Sequence, residues 1–319
     1  MTATTQTDQP AVAAEGAAPS FDWLALGAAL VTVVLWASAF VGIRAVADEL
    51  DPGPFALGRL LVASAALGML MLIRRPALPS ARRDWVLIAA SGVVWFGLYF
   101  VVLNAGEQLV DAGTAAMLVN VGPILIAIFA GFFLREGFPP RLLLGSGIAF
   151  AGTVIIAVAT GIGSAQSAAP LGVLLCLAAA LAYATGVTIQ KPAVARVPAL
   201  TVTAFACWVG TIMTLPFAPG LVEAVGSADA ETIGWVVYLG IFPTAIGFVT
   251  WAFALNRTSA GRLGSTTYLV SPIAIGMAWF LLGETPVPLA LLGGGLAIAG
   301  VVVARSSGRP ALRFRRRTA

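Results

Sequence analysis

The chain has 319 residues, of which 59% are hydrophobic and only 10% are charged, and its net charge is +4. Soluble domains carry about 25% charged residues, so this composition excludes an ordinary water-facing surface and places the chain in a lipid bilayer. The sequence has no histidine, which excludes Ser-His-Asp hydrolysis, HExxH zinc sites and histidine proton relays. The basic balance follows from an Arg-rich tail that can rest on anionic lipid, and we expect no nucleic-acid partner.

Residues 1–22 are rich in Ala, Thr, Gln and Pro and are predicted to be a disordered cytoplasmic segment. Ten apolar segments follow, each 17 to 23 residues long, which is enough to cross about 30 Å of hydrocarbon. They are 24–43, 54–73, 85–103, 113–133, 142–160, 171–190, 199–217, 232–254, 263–282 and 288–304. We therefore predict an all-α integral membrane protein with ten transmembrane helices and a basic cytoplasmic tail at 306–319.

Two stretches of the chain repeat each other at a spacing of about 148 residues. Between Leu143 and Ile156, 8 of 14 positions match the residue found 148 positions later. The repeated residues include Pro123 with Pro272, Glu136 with Glu284, Gly145 with Gly293, Gly147 with Gly295 and Gly152 with Gly300. Five spans per half is an odd number, so the halves 23–162 and 163–305 are predicted to be inverted repeats around a central cavity. The repeated glycines are interpreted as helix-packing faces.

Positive charges set the predicted orientation. With both termini in the cytoplasm, 16 of the 18 Lys and Arg residues fall on the cytoplasmic side, and only Arg44 and Arg59 face outward. Most acidic residues, Glu107 among them, are assigned to the outer segments. No Asp or Glu lies in the middle of a predicted span, which favours a facilitator over proton antiport through a buried carboxylate.

Polar but neutral residues mark the candidate pathway. The first span holds Trp36, Ser38 and Phe40, with Arg44 at its outer end. The sixth span repeats this pattern 147 residues later as Tyr183 and Thr185, with Lys191 at its inner end. Trp36 and Tyr183 lie about twelve residues into their spans, too deep for the aromatic belt at a membrane interface. We interpret both rings as lining a central pathway; the alternative, packing between helices, stays open.

Two mid-span prolines, Pro123 and Pro272, are predicted to kink the fourth and ninth helices because each lacks a backbone N–H. The carbonyl four residues before each proline, at Val119 and Tyr268, then loses its helical donor. The adjacent polar side chains are Asn120 and Ser271. Together these groups could bind an ammonium or amide group at the midplane, or a neighbouring helix could satisfy them at a purely structural kink.

Further aromatic and basic residues complete the candidate site. Tyr99, Trp208 and Tyr268 are assigned to the substrate pathway. Arg44, Arg59 and Lys191 are assigned to a vestibule or gate, although Arg59 could instead snorkel toward the interface. Cys176 and Cys207 lie within spans and are interpreted as small buried residues, so neither a metal site nor a disulfide is expected. No catalytic residue and no cofactor is predicted.

Several of these features together resemble a known family. They are Trp36-x-Ser38-x-Phe40, Arg59, Pro123, Pro272, Gly283-Glu284 and the pairs Gly145/Gly152 and Gly293/Gly300. On these residues, segment 24–304 resembles the drug/metabolite transporter superfamily in its ten-span EamA-type branch. One departure is Arg135-Glu136, where the family usually shows Gly-Glu.

The resemblance implies two inverted five-helix halves around a cavity and alternating-access export from the bacterial cytoplasm across the inner membrane. The neutral, aromatic pathway is most similar to that of YddG-type amino-acid exporters, which implies a small-molecule substrate such as an amino acid, and no enzyme activity. We expect a monomer in the lipid bilayer, with an oligomer left open. Two alternatives are efflux of lipophilic drugs or quaternary cations, and a membrane receptor or scaffold without transport.

Overall fold

The computed structural model of the chain describes residues 22–46, 49–109, 115, 118–159, 170–282 and 285–306, and all regular elements in these ranges are helical. Seven helices there are long and apolar enough to cross a membrane: α2 Pro52–Arg74, α3 Arg82–Glu107, α5 Pro140–Ala159, α6 Pro170–Val194, α7 Ala199–Ser227, α8 Ala230–Arg257 and α10 Pro288–Arg305. The other helices of the described part are α1 Trp23–Val46, α4 Gly122–Phe133 and α9, which consists of Ala260–Thr266, the 3₁₀ turn Thr267–Leu269 and Val270–Leu282.

The outer faces of these helices are apolar. Large side chains such as Trp23, Leu72, Phe132, Val222 and Phe280 are more than half exposed. Such a surface is stable in hydrocarbon and would associate in water. The all-helical, membrane-spanning architecture predicted from composition is therefore confirmed, while the count of ten spans stays a prediction. The predicted span 113–133 lies partly outside the described residues.

Two helices contain a π-helical segment at equivalent positions of the two halves. These segments are Gly92–Leu98 in α3 and Gly240–Ile246 in α8, and they lie 148 residues apart. A Cβ atom on Gly92 would lie 2.5 Å from the carbonyl oxygen of Ala206 in α7, and one on Gly240 would lie 2.6 Å from Cβ of Val62 in α2. Each π segment thus contacts a helix of the other half at very short range. The wider π turn also leaves some carbonyls without a helical donor.

Glycines join α5 to α10. A Cβ atom on Gly152 would lie 2.5 Å from the backbone nitrogen of Ala297 and 2.6 Å from the carbonyl oxygen of Gly293. Gly145 and Gly300 face each other in the same way one and a half to two turns along the helices. These contacts are close backbone approaches that only glycine allows, as the repeat predicted. Gly147 and Gly295 have open space beside them and take no part in this interface.

Each of the two repeated prolines follows an irregular turn of the backbone. Pro123 occupies the first turn of α4, which begins at Gly122, and Asn120 and Val121 form a turn before it. Pro272 is the third residue of the α9 segment that follows the 3₁₀ turn Thr267–Leu269. Proline is tolerated in a first turn because the N–H that it lacks has no helical acceptor there. The structure thus shows an irregular turn shortly before each proline, and the bending of both helices at these positions stays a prediction.

Candidate functional site

One cavity lies between the helices of the two halves, and its volume is about 120 Å³. Its wall comes mainly from α1, α3, α9 and the segment 119–123 at the start of α4, with single residues from α2, α6 and α8. The lining residues are Trp36, Ala39, Ile43, Arg59, Trp95, Tyr99, Phe100, Leu103, Glu107, Val119, Asn120, Pro123, Tyr183, Phe248, Thr267, Val270 and Ser271.

Aromatic rings form the floor of the cavity, and Trp36 is at their centre. Its ring lies 5.0 Å from that of Trp251, nearly parallel to it, and 5.4 Å from Phe248. Trp95 and Tyr183 contact Trp36 at 6.5 and 6.3 Å in edge-to-face geometry. Such pairs are favourable because the positive edge of one ring meets the negative face of another. The result is a rigid apolar surface about halfway along α1.

The π segment of α8 fixes the orientation of Trp36. The backbone N–H of Gly247 donates to the carbonyl oxygens of Phe242 and Thr244, which leaves the Pro243 carbonyl between them free for another donor. The indole Nε1–H of Trp36 donates to that carbonyl at 3.3 Å. A local irregularity of α8 therefore supplies the acceptor that a buried tryptophan N–H requires.

Arg59 brings a positive charge to the cavity although only 5% of the residue is exposed. Its Nε donates to the hydroxyl of Thr244 at 2.6 Å, and its guanidinium carbon lies 4.6 Å from the centre of the Phe100 ring. The hydroxyl of Thr244 donates in turn to the Leu239 carbonyl. These contacts hold the guanidinium at the cavity wall, and the snorkelling alternative for Arg59 is wrong.

Glu107 brings a negative charge to the same cavity. It is the last residue of α3 and is half-buried at the cavity wall. The helix α3 thus continues four residues past the predicted span end at 103, while the assignment of Glu107 to the outer side stays a prediction. Asn104 stabilises this extension by donating its side-chain amide to the Pro52 carbonyl at 3.1 Å. Within the described residues, no ion pair joins Glu107 to Arg59.

Neutral polar groups complete the wall. The Asn120 amide donates to the Ser271 hydroxyl at 3.4 Å, so the polar residues beside the two repeated prolines meet at the cavity. The hydroxyl of Tyr183 is buried beside the Thr267 side chain and makes no hydrogen bond of 3.5 Å or less to it or to any other described residue. A buried hydroxyl without a partner is costly, so a bound ligand or water that accepted from it would be stabilised.

Several residues assigned to the pathway lie elsewhere in the structure. Ser38 bonds the Leu35 carbonyl and the Tyr238 hydroxyl, and Trp208 donates its indole N–H to the Ser64 carbonyl, so both connect helices away from the cavity. Tyr268 is fully buried against Phe150. The remaining assigned residues off the cavity wall are Thr185, Lys191 and Pro272. The side chains of Phe40 and Arg44 lie outside the described residues.

Other lining residues were not assigned from the sequence: Trp95, Phe100, Glu107, Phe248 and Thr267. Spacing along α3 offered a signal for some of them. Trp95, Tyr99 and Leu103 recur at intervals of four residues, which places them on one helical face, and Glu107 continues the series. Trp95 also lies in the π segment Gly92–Leu98, and no sequence pattern predicted that this segment would be π-helical.

The opposite end of the helix bundle is held together by polar contacts within the second half and between the two halves. Lys191, assigned to a gate, donates to the carbonyls of Leu255 and Thr258 at the end of α8. Glu136 accepts from the backbone N–H groups of Ala260 and Gly261 at the start of α9. Near them, Arg196 forms an ion pair of 2.6 Å with the buried carboxylate of Asp84.

Comparison with known proteins places this geometry in context. The model of the EamA-like transporter family matches residues 23–158 and again residues 170–306. A protein of Streptantibioticus cattleyicolor named "Probable terminal-alkyne amino-acid exporter" is 39% identical over 88% of this chain and 92% of its own length. A Bacillus subtilis protein named "Uncharacterized transporter YdfC" is 34% identical over 84% of this chain and 86% of its own length.

More distant proteins are also similar to this chain over most of its length. A Salmonella typhimurium protein named "Probable amino-acid metabolite efflux pump" is 27% identical over 86% of this chain and 92% of its own length. One crystal structure, 20% identical, superposes with a TM-score of 0.71 over 88% of this chain and 96% of its own, and so shares the fold. The chain is thus a multi-pass membrane transporter of small metabolites, and it belongs to the EamA-like transporter family.

Proposed function

We propose that this protein exports amino acids from the bacterial cytoplasm across the inner membrane by alternating access, as a facilitator. The observation that carries the proposal is the cavity between the two halves, with an aromatic floor and both signs of charge on its wall. Two relatives whose names include amino-acid export support the same substrate class. A zwitterion has no net charge but needs polar partners for both of its charged groups, and this cavity offers them.

The proposed arrangement is ten transmembrane helices in two inverted halves, with both termini in the cytoplasm. In this orientation Arg59 and Glu107 lie toward the periplasm, and the contacts of Glu136 and Lys191 lie at the cytoplasmic end. Cysteine introduced at exposed Ser227 should react with a membrane-impermeant maleimide from outside, and cysteine at exposed Ser80 should not. Labelling of Ser80 from the periplasm would contradict the topology.

The open and closed ends of the cavity suggest which step of the transport cycle this conformation represents. Cavity-lining residues reach Ile43 and Glu107 at the proposed periplasmic ends of α1 and α3. At the cytoplasmic end, the Glu136 and Lys191 contacts and the Asp84–Arg196 pair tie the helices together. We therefore propose that this conformation faces outward and that export requires these inner contacts to break.

Flux in proteoliposomes tests the proposal directly. The purified protein is reconstituted as the monomer that we expect, and uptake of radiolabelled leucine, phenylalanine and propargylglycine is followed down their gradients at equal pH. Protein-free vesicles are the control. Saturable amino-acid flux supports the proposal, and no flux of any amino acid would overturn it.

Efflux of organic cations is the second candidate, because Glu107 and the aromatic floor together would suit a cation. Arg59 in the same cavity opposes it, since a second positive charge raises the cost of placing a cation there. Tetraphenylphosphonium and ethidium belong in the flux panel for this reason. Cation flux without amino-acid flux would favour this candidate. The absence of all flux would favour the third, a receptor or scaffold.

A further inference from the structure

The cavity holds two opposite charges that do not pair with each other. Arg59 and Glu107 both line it, and no ion pair of 4 Å or less connects them within the described residues. Buried or half-buried charges are normally paired, because an unpaired charge loses its hydration without compensation. Two opposite charges on one cavity wall, neither of them in an ion pair among the described residues, are suited to a ligand that itself carries both charges.

We propose that Arg59 binds the α-carboxylate and Glu107 the α-ammonium group of an amino acid whose apolar side chain rests on the aromatic floor around Trp36. This inference rests on the proposed function and specifies the substrate class of the same cavity. It assigns the zwitterion an orientation, with its charged head toward the end of α3 and its side chain toward Trp95 and Tyr183.

The dimensions along α3 fit this orientation. The guanidinium of Arg59 is at the level of Phe100, seven residues before Glu107, which corresponds to about 10 Å along a helix axis. Helical side chains lean toward the N-terminus of their helix, so the Glu107 carboxylate is directed back toward the level of Phe100. A ligand that carries ammonium and carboxylate on one carbon atom would lie between the two charged side chains in this orientation.

The contacts of Arg59 leave part of its guanidinium free for a ligand. Thr244 occupies Nε and the Phe100 ring covers one face. The structure records no hydrogen bond from the two terminal nitrogens to any described residue. Arginine can bind a carboxylate through two parallel N–H groups, which fixes the orientation as well as the affinity. Deeper in the cavity, the buried Tyr183 hydroxyl also has no partner there.

The test measures which half of the zwitterion each residue recognises. Calorimetry on purified protein compares L-leucine with 3-methylbutylamine, which lacks the carboxylate, and with 4-methylpentanoate, which lacks the amine. The corresponding phenylalanine series is L-phenylalanine, phenethylamine and 3-phenylpropanoate. In the unmodified protein, each amino acid should bind about ten- to a hundred-fold more tightly than either analogue, because a lost charge-assisted hydrogen bond has this effect.

The variants should separate the two recognition steps. Glu107→Gln should weaken the amino acid about ten-fold or more and leave the amine-free acid unaffected, while Arg59→Gln should leave the carboxylate-free amine unaffected. Matched controls are Glu223→Gln and Arg74→Gln at exposed positions on α7 and α2, which should change nothing. Because Arg59→Gln also removes two buried contacts, Glu107→Gln decides the test if the Arg59 variant is not monodisperse.

Two results would overturn the inference. The first is an amino acid that binds the unmodified protein no better than its two analogues. The second is a Glu107→Gln variant that loses affinity equally for all three compounds of a series, which would indicate a structural effect. Amino-acid flux in proteoliposomes that persists with either result would leave the proposed function intact, whereas loss of all amino-acid flux in the unmodified protein would refute both.

Discussion

The contact between Glu136 and the start of α9 is predicted to hold the cytoplasmic end closed. The carboxylate accepts from the backbone N–H of Ala260 at 2.9 Å and from that of Gly261 at 3.3 Å. These N–H groups have no helical acceptor of their own, and a negative charge beside them interacts favourably with the helix dipole. In the conformation closed to the cytoplasm, Glu136→Ala leaves the N–H groups of Ala260 and Gly261 without this acceptor. Once residue 136 and the start of α9 have separated, the substitution has no such effect.

The size of the effect follows from the geometry. A hydrogen bond to a charged group contributes about 1.5–3 kcal/mol when it is well buried. The second bond here is long and Glu136 is half-buried, so the closed state should lose about 1–2 kcal/mol in total. That difference corresponds to about a 5- to 30-fold change in the ratio of outward-facing to inward-facing protein.

Cysteine accessibility measures this ratio from both sides. A cysteine at Ile43, on the cavity wall, reports opening toward the periplasm, and one at Gln190, which is fully buried, reports opening toward the cytoplasm. Glu136→Ala should slow labelling at 43 from outside and speed labelling at 190 from inside. The native Cys176 and Cys207 are buried and contribute little background.

Glu223→Ala, an exposed glutamate on α7, is the matched control for the loss of one carboxylate. The two labelling rates should change in opposite directions only in the Glu136 variant. If a monodisperse Glu136→Ala protein labels like the control at both positions, then the Glu136 contact does not contribute to closure and the reasoning is refuted.

Three further predictions concern the floor, the driving force and the packing of the helices. Trp36→Ala and Tyr183→Ala should each change the ratio of phenylalanine flux to alanine flux; lower thermal stability with an unchanged ratio would make both residues structural. Amino-acid flux should proceed with equal pH on both sides of the vesicle. If flux strictly requires a pH gradient and Glu107→Gln removes this requirement, Glu107 would instead be identified as a proton carrier. Gly152→Ala should lower the free energy of unfolding by about 1–3 kcal/mol because its Cβ meets the backbone of α10, whereas Gly147→Ala, beside open space, should not, as thermal denaturation in detergent can show.

Hydropathy and the internal repeat were sufficient to predict an all-helical membrane protein built from two repeats. Long apolar segments predicted membrane-spanning helices because backbone groups in hydrocarbon must bond within their own segment. The repeated glycines predicted close helix contacts, and Gly145, Gly152, Gly293 and Gly300 make them between α5 and α10. These features depend on local composition and on spacing, which a single sequence displays directly.

The side chains that face the cavity were harder to predict. Ser38 and Trp208 had the residue type and depth of pathway residues. In the structure, however, the Ser38 hydroxyl bonds Leu35 and Tyr238, and the Trp208 indole N–H bonds the Ser64 carbonyl. Which face of a span points to the cavity depends on helix rotation, and a helix that is apolar all round gives no periodic signal for it. The extension of α3 past Leu103 was missed for a related reason, since the contact that supports it is made by Asn104 with a residue 52 positions away.

The π segment of α8 connects the two parts of the cavity that sequence patterns treated separately. Its Pro243 carbonyl orients Trp36 on the floor, and its Thr244 hydroxyl holds Arg59 on the wall. Both contacts depend on the wider turn of Gly240–Ile246, and both partners come from the first half of the chain. A shift of α8 relative to α1 and α2 must therefore move the aromatic surface and the positive charge together. In a transporter that works by alternating access, this linkage would change the affinity for the charged head and for the apolar side chain of a substrate in the same step.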